Sequence, residues 1–293
     1  MNYSDRDTLL VPTDFTSVAD CAIDHAIEIA NLFKHKICLL HIVNKKMPEE
    51  DKKKALNHLK KVANFTHERS GLAVSVRLEE GSIFDKISQV ANEINAEFIL
   101  MGIHGKKGLQ HLLGSYFYKV ILSSQVPVLV VKKKHHHVGY NNIVVPVDFS
   151  YESTQKVNEA IRFAKYFDSV IHVIGVIRST SAVYKINKEA LLKNLNDYIS
   201  KYGVKVHTEV LIKPGSSIED EILEYAENVD ADLVMIAINK DKKSDMPGKN
   251  DAENIIDKAE MPVLTVFPPE DSDDDSTLFS TFIDPLGLMQ KDK

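Results

Sequence analysis

Four residues along one loop of this 293-residue sequence are suited to holding an anion: Gly102, Gly105, Gly114 and Ser115. Glycine allows positive φ and a close approach of the backbone to a ligand. Gly114 and Ser115 stand where a helix is predicted to begin, and the free amides and dipole of a helix N-terminus favour negative charge. The loop therefore predicts a phosphate cradle, formed by the amides of Gly105, Gly114 and Ser115 and by the Ser115 hydroxyl.

A carboxylate is predicted to lie across from this loop. Asp14 follows the first predicted strand and the loop follows the fourth, and ligands of open α/β sheets bind outside the carboxyl ends of such strands. Asp14 would bind a ribose hydroxyl or a metal-bound water, or it would only cap the first helix. Lys106 and Lys107, within the loop, either add positive charge or are solvated surface lysines.

The sequence contains two copies of one unit. The segment Val-Pro-Thr-Asp-Phe at 11–15 returns after 134 residues as Val-Pro-Val-Asp-Phe at 145–149. The pair Gly81-Ser82 returns at the same offset as Gly215-Ser216. A repeat of this length is a whole domain rather than a short solenoid unit.

Each copy is predicted to be a doubly wound α/β domain. Short continuous apolar runs alternate with longer segments of helical period, which is the pattern of parallel strands covered by helices on both faces. Each half has room for five strands and four helices, which gives a Rossmann-like, five-stranded parallel sheet. The predicted domains are 1–134, with the Gly-rich loop, and 141–268, followed by an acidic, disordered tail at 269–293.

The composition indicates a globular protein without a membrane span and without a charged surface for nucleic acid. Of the net charge of −6, a charge of −5 lies in residues 270–293, so the folded body is nearly neutral. No apolar run approaches the ~18–20 residues of a membrane span, and no secretory signal precedes the first strand. Cys21 and Cys38 fall in apolar segments, so we expect buried structural thiols and a cytoplasmic protein.

No constellation of catalytic or metal-binding residues is apparent. The histidines at 135–137 fall in the predicted linker, and three adjacent histidines cannot all reach one tetrahedral site. His41 and His104 lie near the predicted crevice without an assigned role. The sequence has no Walker loop, metalloprotease helix or nucleophile elbow. We therefore expect no catalytic residues and no metal site, and at most a slow ATPase.

The motifs together resemble the ATP-binding members of the universal stress protein family. They are Val-Pro-x-Asp-Phe after the first strand, Leu-Leu-His-Ile in the second, Met-Gly-x-His-Gly-x-x-Gly running to Gly-Ser, and a later Pro-Val-Leu-Val-Val. The resemblance covers 7–133 closely and 141–268 in order and spacing. It implies a five-stranded parallel sheet, with ATP, alone or with Mg²⁺, between the first-strand Asp and the Gly-rich loop.

By matching position, the resemblance implies these nucleotide-binding residues: Pro12, Thr13, Asp14, Ile42, Gly102, Gly105, Gly114 and Ser115. The first three would lie near the adenosine, Ile42 would contact the adenine, and the other four would surround the ribose and phosphates. The loop departs from the family pattern in two ways. It is one residue shorter between Gly105 and Gly114, and Phe117 stands where a hydroxyl is usual.

The second copy lacks these anion-binding residues. Its corresponding loop, 239–251, has one glycine, no Gly-Ser before the helix, and three carboxylates. One of these, Asp251, falls at the predicted helix start, where it would repel a phosphate. Asp148 is then left without an anion-binding loop, and we expect the second domain to be a structural partner of the first.

These observations predict a stress-response regulator that binds ATP in its first domain and acts on an unidentified protein partner. The alternative is a nucleotide-free scaffold or interaction module that acts through the duplicated fold and the C-terminal tail. The resemblance also implies an intramolecular pseudo-dimer, with 127–132 paired to 262–267. Association of whole chains into a homodimer is left open.

Overall fold

A computed structural model describes residues 6–103, 114–132, 139–148, 151–238 and 251–267, with the backbone alone for 114–116, 151–155 and 184. The chain divides into two compact units, Met1–Val138 and Gly139–Lys293. Within each unit five strands pair in parallel, and each unit has a buried apolar core. Gly105, the linker histidines at 135–137 and the predicted tail at 269–293 lie outside the described residues.

The first unit alternates strands and helices along the chain. Its elements are β1 (Thr8–Pro12), α1 (Ser17–Phe33), β2 (Lys36–Val43), α2 (Glu49–Ser70), β3 (Val74–Glu80), α3 (Ile83–Glu93), β4 (Phe98–Gly102), α4 (Gly114–Ser123) and β5 (Val128–Val131). The strands lie parallel in the order β3-β2-β1-β4-β5. Helix α1 packs over β1 and β4, and α3 packs against α4. With right-handed crossovers, α1 and α2 cover one face of the sheet and α3 and α4 cover the other.

The second unit repeats this plan. Its elements are β6 (Asn142–Pro146), α5 (Tyr151–Phe167), β7 (Val170–Ile177), α6 (Ala182–Ser200), β8 (Lys205–Ile212), α7 (Ile218–Asn228), β9 (Leu233–Ala237), α8 (Asp251–Lys258) and β10 (Val263–Val266). The parallel strands lie in the order β8-β7-β6-β9-β10. The predicted fold class, a doubly wound parallel sheet with helices on both faces in each half, is confirmed.

The first helix of each unit ends in the same way. In α1 the residue after the last turn, Lys34, has φ of 58°, and the amide of His35 donates to the carbonyl of Ala30 over 2.9 Å. In α5 the corresponding Asp168 has φ of 51°, and the amide of Ser169 donates to the carbonyl of Ala164 over 3.0 Å. Helices commonly end in this way, with a left-handed backbone conformation just after the last turn and an amide that donates back to a carbonyl of that turn. The duplication therefore extends to details of the backbone.

The core of the first unit lies between β1 and the covering helices. Leu9, Leu10 and Val11 are fully buried, as expected for a central strand with helices on both faces. Both cysteines, Cys21 and Cys38, are buried thiols that are not joined in a disulfide, and burial raises the pKa of each thiol. Among the described residues, no helix is both long enough and apolar enough to cross a membrane.

Candidate functional site

A crevice opens where β1 and β4 separate. The two strands pair only at Leu9 with Phe98 and at Leu10 with Ile99, although they continue to Pro12 and Gly102. Strand order reverses at this point, since the chain moves outward from β1 to β2 and β3 and then returns to β4. Ligands of open α/β sheets bind at such a switch in strand order, outside the carboxyl ends of the strands.

Thr13 is held rigidly at the end of β1. Its amide donates to the carbonyl of Leu40 over 2.8 Å, which extends the pairing with β2 by one residue. Its carbonyl lies 2.8 Å from Nδ1 of His41, and its hydroxyl accepts from the amide of Phe15 over 3.1 Å. Because a carbonyl oxygen can only accept, Nδ1 of His41 is the donor in this hydrogen bond. Thr13 itself is 6% exposed, so its backbone rather than its side chain fixes the crevice wall.

Asp14 leads into α1 with an exposed side chain. Its Oδ1 accepts from the amide of Thr16 over 3.1 Å and from the hydroxyl of Thr16 over 2.6 Å. The N-cap of α1 is Thr16, whose hydroxyl accepts from the amide of Ala19 over 3.5 Å. Asp14 therefore braces the capping residue rather than capping the helix directly, and its carboxylate is held at the mouth of the crevice.

An aromatic contact that the sequence did not reveal lies beside Asp14. The ring of Phe15 stands 4.3 Å from the ring of His41, on β2, and 4.4 Å from the ring of His58, on α2. Phe15 has φ of 65°, in the left-handed region that bulky side chains rarely adopt. The Val-Pro-x-Asp-Phe motif was visible in the sequence, but the contact joins residues far apart along the chain.

Ile42 and His41 project to opposite faces of β2, because successive side chains of a strand alternate. Ile42 pairs with Glu79 of β3 and is partly exposed. Pro12, the last residue of β1, pairs with Leu40 and is also partly exposed. The described part of the first unit thus brings Pro12, Thr13, Asp14 and Ile42 to the carboxyl ends of two adjacent strands.

Gly102 ends β4 against the first turn of α1. A Cβ atom placed on Gly102 would lie 2.3 Å from the carbonyl oxygen of Val18 and 2.8 Å from its Cγ1. Side-chain carbons do not approach backbone atoms so closely, so a side chain here would displace the helix. Packing against Val18 therefore requires a glycine at this position, in addition to the nucleotide contact that the resemblance implies.

The N-terminus of α4 lies at the same edge of the sheet as the end of β1. Helix α4 leads from the carboxyl end of β4 to the amino end of the parallel strand β5, so its first residues are at the carboxyl edge. The helix begins at Gly114 with Ser115 in its first turn, and Phe117 is buried. The side chains of 114–116 and the whole of 104–113, with Lys106 and Lys107, lie outside the described residues.

The carboxyl ends of the strands in the second unit carry different residues from those in the first. The amide of Val147 donates to the carbonyl of Ile174 over 2.7 Å, as Thr13 does to Leu40. Gly175 takes the place of His41, and Ala237, the last residue of β9, takes the place of Gly102. Helix α8 begins with two acidic residues in its first turn, Asp251 and Glu253. Negative charge at that N-terminus disfavours a phosphate there.

Residues 6–132 and residues 139–266 each match the universal stress protein family. The chain belongs to this family. It is a tandem universal stress protein, with one match in each half of the sequence.

Relatives of this universal stress protein include shorter and equally long members. Universal stress protein MJ0531 of Methanocaldococcus jannaschii is 32% identical over an aligned length of 142 residues, and the match covers 43% of this chain and 81% of that protein. A universal stress protein of Archaeoglobus fulgidus has a TM-score of 0.74 and 21% identity, covering 91% of this chain and 98% of its own, and so shares the fold across both halves. Another Archaeoglobus fulgidus family member, solved in complex with dAMP, covers 43% of this chain and 97% of its own, with 24% identity and a TM-score of 0.36.

One charged residue of this universal stress protein was missed in the sequence. Lys156, on α5, is 6% exposed, and burial lowers the pKa of its ammonium to about 8, while Asp148 opposes that shift. At the offset of 134 it replaces Ala22 of α1, which is fully buried. The signal that could have revealed it was a lysine on the apolar face of a predicted helix, at a position that aligns with an alanine in the other copy.

Within the described parts of this universal stress protein, no group of three or more histidine, cysteine and acidic residues is placed to hold a metal ion. The crevice of the first unit offers a braced carboxylate, a helix N-terminus and a glycine that admits close backbone packing. Such groups can bind an anion and a hydroxyl-bearing sugar. We assign no general base to them.

Proposed function

We propose that this universal stress protein is a stress-response regulator that binds ATP in the crevice of its first domain. The observation that carries the proposal is the separation of β1 from β4 beyond Leu10 and Ile99, with a carboxylate and a helix N-terminus at the same edge. Asp14 supplies the carboxylate, and its bonds to Thr16 hold it at the crevice mouth.

We assign each residue of the crevice to the part of ATP that its chemistry suits. Pro12, Thr13 and Asp14 line the adenosine side, with Asp14 accepting from a ribose hydroxyl, and Ile42 contacts the adenine. Gly102 and Gly105 lie along the ribose and phosphates. The amides at Gly114 and Ser115 bind phosphate oxygens, since a helix N-terminus favours negative charge. A Mg²⁺ ion would accompany the phosphates and screen their charge.

The second domain is proposed to be a structural partner that does not take ATP. The acidic first turn of α8 and the Cβ of Ala237, in place of Gly102, support this difference between the copies. A cytoplasmic location, a protein partner that responds to bound nucleotide, and pairing of 127–132 with 262–267 stay predictions.

Thermal melting of the full chain with and without Mg-ATP tests the proposal. A ligand that binds only the native state stabilises it by about 2.7 kcal/mol at roughly 100 times its Kd. We expect Mg-ATP to raise Tm for the wild-type chain and for D148A, and to raise it much less for D14A. D14N serves as a second variant, because its side-chain oxygen can still accept from Thr16 while the charge is lost. An unchanged wild-type Tm at millimolar Mg-ATP would contradict the proposal.

A further inference from the structure

The turn that follows β1 is held by an aromatic stack of three residues, Phe15, His41 and His58. The centre of the Phe15 ring lies 4.3 Å from that of His41, on β2, and 4.4 Å from that of His58, on α2. Phe15 is partly exposed, and its backbone has φ of 65°. A bulky residue keeps such a φ only where its surroundings hold it there, and backbone strain of this kind is concentrated at functional sites. The two imidazole contacts supply part of that restraint.

Asp14 lies inside this turn, and hydrogen bonds hold the residues on both sides of it. The amide of Phe15 donates to the hydroxyl of Thr13 over 3.1 Å, and His41 donates to the carbonyl of Thr13 over 2.8 Å. Oδ1 of Asp14 accepts from the amide of Thr16 over 3.1 Å and from its hydroxyl over 2.6 Å. Because Phe15 directly follows Asp14 in the chain, a change in the backbone of Phe15 would move this carboxylate relative to Thr16.

We propose that Phe15 is a positioning residue for the nucleotide site: its ring, held between His41 and His58, keeps the Asp14 carboxylate in the orientation that accepts from a ribose hydroxyl. The inference rests on the proposed function, since it takes the contact of Asp14 with the ribose as given. A group that already has its bound orientation loses less conformational entropy when the ligand arrives. The apparent Kd also rises in proportion as the fraction of binding-competent molecules falls. Phe15 therefore affects nucleotide affinity through Asp14, without a nucleotide contact of its own.

The two copies differ at this stack. The second copy keeps the phenylalanine, as Phe149, but Gly175 stands at the position of His41. A glycine has no imidazole that could contact a phenylalanine ring or donate to the carbonyl of the residue after the first strand. The arrangement around Phe15 therefore accompanies the copy with the proposed ATP site, which is what a role in nucleotide binding predicts.

A comparison of ATP with 2′,3′-dideoxy-ATP, both with Mg²⁺, tests the proposal in the full chain. The dideoxy compound lacks both ribose hydroxyls, so the ratio of its Kd to the Kd of ATP reports the contact with Asp14. The variant F15A removes the central ring of the stack. H58A removes only an exposed outer ring, and it decides the question if F15A does not fold. F65A is the matched control, because Phe65 is an exposed phenylalanine on α2 that is not part of the stack.

We expect the wild-type chain and F65A to bind ATP at least about tenfold more tightly than the dideoxy compound, since a hydrogen bond to a charged acceptor is lost with the hydroxyls. In F15A the Kd of ATP is expected to rise about tenfold while that of the dideoxy compound changes little, so the ratio falls toward one. H58A is expected to shift the ratio in the same direction by a smaller factor. A general loss of structure would weaken both compounds equally. A wild-type ratio in F15A, or in H58A where F15A does not fold, would overturn the proposal.

A measurement without nucleotide separates this proposal from the proposed function. Asp14 accepts from the amide of Thr16, so hydrogen exchange of that amide, followed by NMR, reports how firmly the carboxylate is held. We expect the Thr16 amide to exchange faster in F15A than in the wild-type chain and in F65A. A wild-type chain that binds neither compound, or binds both equally, would contradict the role proposed for Asp14. The Thr16 amide then decides the present proposal, which faster exchange in F15A supports and unchanged exchange overturns.

Discussion

The backbone of Gly102 meets the carbonyl oxygen of Val18 so closely that a Cβ on the glycine would lie 2.3 Å from that oxygen. Val18 is in the first turn of α1, only two residues after the N-cap Thr16 and four after Asp14. The end of β4 and the start of α1 are thus in direct contact across the crevice. Any residue that separates them moves the carboxylate that we propose for the ribose.

Gly102→Ala is expected to destabilise the first domain by about 2–3 kcal/mol, because overpacking against backbone atoms cannot be relieved by a side-chain rotation. Chemical denaturation measures the change. Gly71→Ala is the comparison, since Gly71 has φ of 72° but nothing within 4 Å of an added Cβ. That variant is expected to cost only about 1 kcal/mol, from its left-handed backbone. Equal losses for the two variants would show that the contact with Val18 is relieved easily.

Phe15 is expected to carry backbone strain. Its φ of 65° costs an L-residue about 1–2 kcal/mol, a cost that glycine avoids. Phe15→Gly and Phe15→Ala both lose the ring contacts with His41 and His58, so their difference isolates the backbone. We expect the glycine variant to be more stable than the alanine variant by about 1 kcal/mol in urea unfolding. The same comparison at Lys34, where φ is 58°, is a positive control. An alanine variant as stable as the glycine variant would mean that the backbone relaxes.

Lys156→Met is expected to stabilise the chain near neutral pH. The pKa of Lys156 is about 8 in the folded chain against an ordinary value of 10.5, and that difference corresponds to about 3 kcal/mol against folding with the lysine charged. The unfolded chain binds more protons between these two values, so this contribution to the free energy of unfolding rises with pH from about 8 to 10.5.

The advantage of K156M over wild type is therefore largest below pH 8 and declines toward pH 10.5. Denaturant unfolding of both chains across this range measures the difference in their free energies of unfolding. The contributions of other titrating groups cancel in that difference. K165M, which removes an exposed charge from the same helix and its contact with the Tyr202 ring, is expected to cost at most about 1 kcal/mol, with no dependence on pH between 8 and 10. A K156M advantage that does not depend on pH would show that the lysine is not desolvated as described.

The order of elements could be predicted from the sequence because apolar runs and helical periods are local signals. The five strands and four helices predicted for each half are present in the structure, and the repeat at 11–15 and 145–149 located the ends of β1 and β6. The sequence also placed the site after the first and fourth strands, and the structure shows that these two strands, β1 and β4, are neighbours in the sheet.

The contacts within the site could not be predicted, because they depend on residues distant in the chain. Phe15 meets His58 across 43 residues of sequence, and Gly102 meets Val18 across 84. The burial of Lys156 depends on how α5 packs against its sheet, and the helical pattern of the sequence does not determine that packing. The role given to Gly102 also changed, since the sequence suggested a ligand contact and the structure adds a packing contact.

Isothermal titration of the full chain with Mg-ATP measures the number of nucleotide sites directly. The account predicts one ATP per chain, lost in D14A and retained in D148A, because Asp14 belongs to the first domain and Asp148 to the second. Two equivalent ATP sites per chain, or a single site that D148A abolishes and D14A leaves intact, would contradict it.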